Sequence, residues 1–290
     1  MKENINDNKL SLALERARHR EELRGIGTQS ERLVHLTLKY YLEPNEEAHE
    51  VKVGRYTADI FRKETGEILE IQTRSFERLK KKLDAFLPKY PVTVVYPCVR
   101  MKYLCWVDSD TGEVTKRRRS PKTGTPKDIL PELYRLQNAL FSSTKEEEAP
   151  SAGAEKGEEA SPSGSEEGKI AFREGLTIMI VMMDVEEYRL LDGWSKDKKH
   201  GSHRMERLPL FFGDPVFLRT TEDISALLPE TLPETFTRKD LMKALKMQGR
   251  KGSGAITVLE KAGAIKRVGA EGRTLLFKKA PASFPEEAGA

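Results

Sequence analysis

Residues 58–75, ADIFRKETGEILEIQTRS, constrain the fold more tightly than any other stretch. Two runs of alternating apolar residues flank the turn-forming tetrad KETG, so the segment reads as a β-hairpin. With KETG as the turn, Arg62 faces Glu67, Asp59 faces Glu70 and Thr57 faces Gln72. Side chains alternate along a strand, so Asp59, Glu70, Thr57 and Gln72 share one face, and Ala58, Ile60, Leu69 and Ile71 form an apolar opposite face. A three-residue loop with a bulge would slip the register by one and make the carboxylates diagonal neighbours. Like charges directly opposite on a sheet destabilise it. A solvated surface can absorb that repulsion. A divalent cation between the carboxylates relieves it, since hard cations take oxygen ligands.

A hairpin with one apolar face needs more sheet and a covering layer. The flanking sequence offers both. Residues 7–24 place Leu10, Leu14 and Ala17 on one helical side, GIG at 25–27 breaks that helix, and TQSERLVHLTLKYYL predicts a second. AHEVKVGRYTADIF and EILEIQTR read as strands, and SFERLKKKLDAFL as a helix with Phe76, Leu79, Leu83 and Phe86 on one face. PVTVVYP reads as a strand, KYLCWVDSDTGEVTKRRR as a hairpin turning at DSDTGE, and ILPELYRLQNALF as a helix. The order αβββαβ points to an α/β domain around one sheet.

Residues 142–168 hold 8 acids and 2 bases and almost no large apolar side chains. Such a segment cannot bury enough surface to offset ordering entropy and is expected to be disordered. The apolar run that follows, GLTIMIVMMDVEEYRLL, needs a sheet to join. The acidic segment is therefore read as a loop within one domain. The whole chain carries a net charge of +4; without the segment's −6, the remainder carries +10, which suits a polyanionic partner.

The start, MKENINDNKL, lacks the apolar core of a signal peptide, and LTIMIVMM is too short to span a bilayer, so a cytoplasmic protein without membrane contact is expected. Cys98 and Cys105 lie in apolar, strand-like sequence and are expected to be reduced and buried.

The end of the chain has a different pattern. FTRKDLMKALKM is a short helix with Thr237 and Asp240 spaced as a capping box, GRKGSG reads as a turn, SGAITVLEKAG as a second helix and AIKRVGAEGRTLLFKK as a hairpin turning at GAEG. Helix, turn, helix, hairpin resembles the second half of a winged-helix domain. Its second helix would then be the recognition element, with Ser253, Thr257, Glu260 and Lys261 exposed. Arg250, Lys251, Lys266, Arg267 and Arg273 are placed for phosphate contacts in the turn and wing. Winged helices also dock proteins.

The 58–75 hairpin, together with the helix before it and the helix after it, resembles the core of the PD-(D/E)XK nuclease superfamily, most closely its archaeal Holliday-junction-resolvase branch. The matching positions are Glu31 in SERLVHLTL, Asp59 in TADIF and Glu70 in EIQT, and the similarity runs from about 25 to 96. The resemblance implies a restriction-endonuclease-like mixed sheet flanked by helices. It also implies Mg²⁺ or Mn²⁺ held by Asp59, Glu70 and the backbone carbonyl of Ile71, with Glu31 assisting. The chain departs from the family pattern at Ala58, where a proline often stands, and at Gln72, where the family keeps its E-x-K lysine. A glutamine can hold a water by hydrogen bonds but cannot act as a base. A lysine can migrate: Lys80 and Lys82 on the following helix and Lys52 on the first strand are candidates.

Plainer readings stand beside these. Thr28 and Glu31 have the spacing of a capping box, and Asp59, Glu70 and Gln72 could be ordinary polar strand residues. WSKDKKHGSHRMERLP, 194–209, reads as a basic loop, either solvated or contacting phosphates through Lys198, Lys199 and Arg204. The run TKRRRSPK, 115–122, reads as a solubilising strand edge.

The expected organisation is an N-terminal helix over 1–24, a nuclease-like α/β domain over 25–230, a winged-helix-like domain over 231–280 and a disordered tail over 281–290. The expected function is Mg²⁺-dependent cleavage of duplex or branched DNA. A homodimer or a partner protein is compatible with it. The alternatives are a DNA-binding regulator or scaffold that keeps the nuclease fold without the chemistry, or a protein-interaction module.

Overall fold

The computed structural model of the protein describes residues 2–22, 29–143, 170–193 and 201–280. Two helices, α1 (Lys2–Glu22) and α2 (Gln29–Leu42), precede the strands β1 (His49–Val53), β2 (Tyr56–Arg62) and β3 (Glu67–Ile71). A 3-10 turn leads into α3 (Lys80–Phe86), then β4 (Val92–Asp108), β5 (Arg118–Arg119) and α4 (Leu130–Leu140). Next come β6 (Phe141–Ser143), β7 (Ile170–Phe172), β8 (Leu176–Leu191), β9 (Ser202–Phe212) and β10 (Val216–Leu218). The chain continues through α5 (Thr221–Ser225), β11 (Thr235–Thr237), α6 (Arg238–Leu245), α7 (Gly249–Lys261), β12 (Ile265–Glu271) and β13 (Thr274–Lys279).

The protein is mixed α/β, with a large mixed sheet flanked by helices. Its strands run in the order β1-β2-β3-β4-β8-β10, with β5 added to β4 and β9 to β8. The β3–β4 and β4–β8 pairs are parallel and the others antiparallel. Leu10 of α1 and Val34 and Leu38 of α2 cover one face, over Ile60, Leu69, Ile71 and Val185. Phe76, Leu83, Leu133 and Leu136 cover the other, over Ile68, Val94 and Ile178. Each such fully buried aliphatic side chain contributes roughly 1.5–3 kcal/mol relative to exposure.

The strand GLTIMIVMMDVEEYRLL joins the sheet beside β4, as its apolar run required. β6 and β7 pair antiparallel, so they close the base of a loop that carries the acidic segment. Residues 144–168 of that segment lie outside the described residues, as does the tail 281–290. Cys98 and Cys105 are free thiols, both buried. Among the described residues no helix is long and apolar enough to cross a membrane.

Several elements differ from expectation. PVTVVYP and KYLCWV are one strand, β4, which passes through Pro97. The proline is tolerated because β3 has already ended on that side, so its missing N–H costs no ladder bond there. The Asp108 turn does form, with the Gly112 N–H on the Asp108 carbonyl and Val107 bridging Val114. Of the expected 194–209 loop, residues 202–209 belong to strand β9. GRKGSG opens α7 rather than preceding it, and the last hairpin turns at Gly272–Arg273, not at GAEG.

The C-terminal elements form a three-stranded sheet in the order β11-β13-β12, beside α6 and α7. The capping box at Thr237 and Asp240 is present. These elements share the core of the main sheet: Leu241, Ile256, Leu259 and Phe277 belong to the same apolar cluster as Leu83 and Leu133. A Cβ on Gly254 would sit 2.9 Å from the Tyr134 ring, so α7 approaches α4 through this glycine.

The segment 120–125 runs against the edge of β4 that β3 vacates. The Gly124 N–H donates to the Arg100 carbonyl at 3.0 Å, and a Cβ on Gly124 would lie 2.2 Å from the Val99 carbonyl oxygen. The obstacle is backbone and cannot rotate away. Gly124→Ala is therefore expected to cost about 1–3 kcal/mol by overpacking, read as a lower urea midpoint at unchanged slope.

Candidate functional site

β2 and β3 pair at Ile60–Leu69, Phe61–Ile68 and Arg62–Glu67, the register a KETG turn requires. Gly66 supplies the left-handed residue of the turn at φ 71°, and its N–H donates to the Arg62 carbonyl. The ladder stops before Asp59 and Glu70. There side chains replace backbone partners. Asp59 Oδ2 accepts the Ile71 N–H at 2.9 Å, and the Asp59 N–H donates to Glu70 Oε1 at 3.4 Å. The two acids are thus brought together where the strands part.

Glu70 is 2% exposed and lies on the sheet face packed by α3 and α4. Lys82, from the first turn of α3, donates to Glu70 Oε2 at 2.7 Å. Of the candidate lysines, this is the one that reaches the carboxylates. Lys52 and Lys80 are exposed.

Burial and the facing Asp59 charge push the Glu70 carboxyl up to about 7, with Lys82 offsetting part of the rise. Asp59 moves the other way. Burial opposes its ionisation, but the hydrogen bond and charge of His35, the charge of Lys39 and the Ile71 N–H together hold it below the usual aspartate value. The pair therefore divides its roles, with Asp59 ionised and Glu70 holding a proton near neutrality.

His35 was not anticipated. Its Nε2 lies 3.3 Å from Asp59 Oδ2, and it stands one helical turn after Glu31 on α2. That i, i+4 spacing was the available signal. Lys39, one turn further on, is 1% exposed and bonds Glu50 at 3.3 Å. Glu31 itself lies on α2, but its side chain and Thr28 lie outside the described residues. The Gln72 carboxamide donates to the Arg74 carbonyl and not to either acid. Among the described residues no group of three or more His, Cys, Asp and Glu side chains is arranged to hold a metal.

A cavity of about 310 Å³ is lined by Val34 of α2, Thr73 and Arg74 after β3, Tyr96–Val99 of β4, Asp128, Met183 of β8 and Arg207 of β9, and neither Asp59 nor Glu70 lines it. Cys98 is not a nucleophile there: burial pushes its thiol up to about 12.

The residues expected to meet phosphates are scattered. Lys198 and Lys199 lie outside the described residues. Arg204 lies on β9, with Nε 3.2 Å from Glu187. Arg250, Lys251, Lys266, Arg267 and Arg273 are exposed, although Arg267 is tied to Glu260 at 2.7 Å. The expected recognition helix is half-occupied by protein. Ser253, Thr257, Glu260 and Lys261 are only partly exposed, and α7 packs on α4, with Gly254 against Tyr134 and Lys261 over Phe141. A helix seated this way cannot present its 254–261 side to a groove.

Residues 32–145 match a family described as "Domain of unknown function (DUF8091)". That range contains His35, Asp59, Glu70, Gln72 and Lys82 and begins just after Glu31. No solved structure matches the chain. An uncharacterized protein of Treponema pallidum (strain Nichols) is similar over 115 residues at 36% identity, a stretch that spans 40% of this chain and 45% of that protein.

Proposed function

We propose that the protein is a metal-dependent DNA endonuclease of the PD-(D/E)XK type. The observation that supports this best is the Asp59–Glu70 pair, set where β2 and β3 part, with Lys82 on Glu70 at 2.7 Å. A structural ion pair needs one acid and one base. Here a second acid is kept against the first at the cost of a carboxyl pushed up to about 7. A buried carboxyl strongly perturbed by a facing charge is a functional candidate on physical grounds.

The donor set suits the ion. Asp59, Glu70 and the Ile71 carbonyl offer only oxygen, and Mg²⁺ needs one or two carboxylates while keeping several of its waters. When bound, the ion would acidify a water and offset charge on the phosphodiester. The chain's own groups divide the remaining work. His35 and the Ile71 N–H orient Asp59. Lys82 holds the Glu70 side chain and stands in for the E-x-K lysine, supplying positive charge beside the reacting phosphate. Gln72 can orient a water but cannot take its proton.

A nicking assay on plasmid and branched DNA with Mg²⁺ or Mn²⁺ tests this. Asp59→Ala is expected to lower cleavage by about 10²–10³-fold or more, and Lys82→Met by about 10²-fold, both with DNA binding retained. A second reading, a DNA-binding regulator or scaffold without chemistry, is favoured by one observation: the Gln72 carboxamide is turned to the Arg74 carbonyl. DNA binding with no cleavage that depends on Asp59 would select that reading instead.

A further inference from the structure

Glu187 of β8 is fully buried, at 0% exposure, and is surrounded by cations from three strands. Arg207 Nη2 lies 2.8 Å from it, Arg189 Nη1 3.1 Å, Arg204 Nε 3.2 Å and Lys102 Nζ 3.8 Å. Four cations gather on one carboxylate, more than holding a single acid requires. The cations are not sealed in: their side chains are 18–31% exposed. The Arg207 Nε is buried without a hydrogen-bond partner among the described residues, and Arg207 lines the cavity that Arg74 also lines.

The register places these groups on one surface. Leu104, Glu187 and Arg207 are cross-strand partners, as are Arg189 and Arg204. Val185, two residues before Glu187, is buried on the face that α1 and α2 cover. The cationic cluster therefore lies on the sheet face that α1 and α2 cover, opposite the face that holds Glu70, and it reaches the cavity through Arg207.

We infer that the Lys102, Arg189, Arg204 and Arg207 cluster is a preorganised clamp for the phosphodiester backbone of a nucleic acid. Glu187 is its positioning residue: it fixes the guanidinium groups so that little side-chain entropy is lost when phosphates arrive. The inference rests on the nucleic-acid reading above.

The test is fluorescence anisotropy of a labelled DNA duplex of about 24 base pairs across a salt series in EDTA. Arg189→Gln with Arg204→Gln is expected to weaken binding about 10–100-fold and to flatten the salt slope by roughly 2, whereas Arg204→Lys alone keeps both nearly unchanged. Should the double variant fail to fold, Lys102→Gln, which removes the longest of the four ion pairs, is expected to weaken binding a few-fold and flatten the slope by roughly 1. If the wild type binds the duplex and the folded variants bind it equally well, the clamp is overturned and the nucleic-acid reading stands. If the wild type binds inorganic pyrophosphate by calorimetry but no duplex, the clamp and the nucleic-acid reading fall together.

Discussion

Glu70→Gln is expected to stabilise the protein at pH 8 by about 1–3 kcal/mol while abolishing any response to Mg²⁺. The sign follows from proton binding. The Glu70 carboxyl sits at about 7 in the folded protein against an ordinary 4.5, so the folded state holds a proton there that the unfolded chain has lost. Stability therefore falls as pH rises from about 4.5 toward 7, and above 7 the folded protein bears the whole penalty of an ionised Glu70 beside Asp59. Glutamine cannot ionise and escapes it. Lys82 loses its partner in the variant, but its side chain is 27% exposed and can turn to water.

Urea unfolding of both proteins at pH 8 and pH 4 measures the effect. The gain should be present at pH 8 and absent at pH 4, where the wild-type carboxyl is protonated in the folded state. Saturating Mg²⁺ should raise the midpoint of the wild type at pH 8 and leave the variant unmoved, because a cation between the acids does by charge what the proton does at lower pH. A variant equally destabilised at both pH values would mean that the Glu70–Lys82 pair is an ordinary structural ion pair, and the functional reading of the hairpin would lose its main support.

The hairpin was legible because its determinants are local. KETG sets the turn, Gly66 takes the φ of 71° that other residues resist, and counting across it places Asp59 by Glu70. Lys82 was within reach of sequence reasoning because it flanks the apolar stripe of a helix that must lie on the sheet next to that hairpin. His35 was harder to find. Its partner is 24 residues away, and only the approach of α2 to the splayed end of β2 brings them together. The strand β9 was missed for a related reason. HRMER is dense with charge and reads as a solvated loop, but Glu187 gathers Arg204 and Arg207 and lets the strand form. The α7 start was misplaced because GRKGSG has the glycines of a turn. Here they serve close packing instead, Gly252 against Met242 and Gly254 against Tyr134, and tertiary contact overrides local propensity.

Glu187→Gln should be the most damaging substitution in the sheet, costing about 3–5 kcal/mol at pH 7. The carboxylate is fully buried, and the opposing influences on it are unequal. Burial alone would raise its carboxyl. The Arg207 hydrogen bond and charge, with the charges of Arg204 and Lys102, overcome this and hold it at about 2 against an ordinary 4.5. A depressed carboxyl contributes stability that is present above about 4.5 and is lost as pH falls toward 2. Removing the charge leaves Lys102, Arg189, Arg204 and Arg207 repelling one another across three strands. Guanidinium unfolding would confound a site made of guanidinium groups, so urea is the denaturant to use. The deficit should be largest at pH 7 and shrink below pH 3, where the wild-type carboxylate is itself being lost. High salt should narrow it further, because screening acts on the surviving cations and not on the paired ones. A deficit independent of both pH and salt would mean that Glu187 acts through packing alone. The guanidinium groups would then be held by the sheet, and the clamp would need no carboxylate to stay in place.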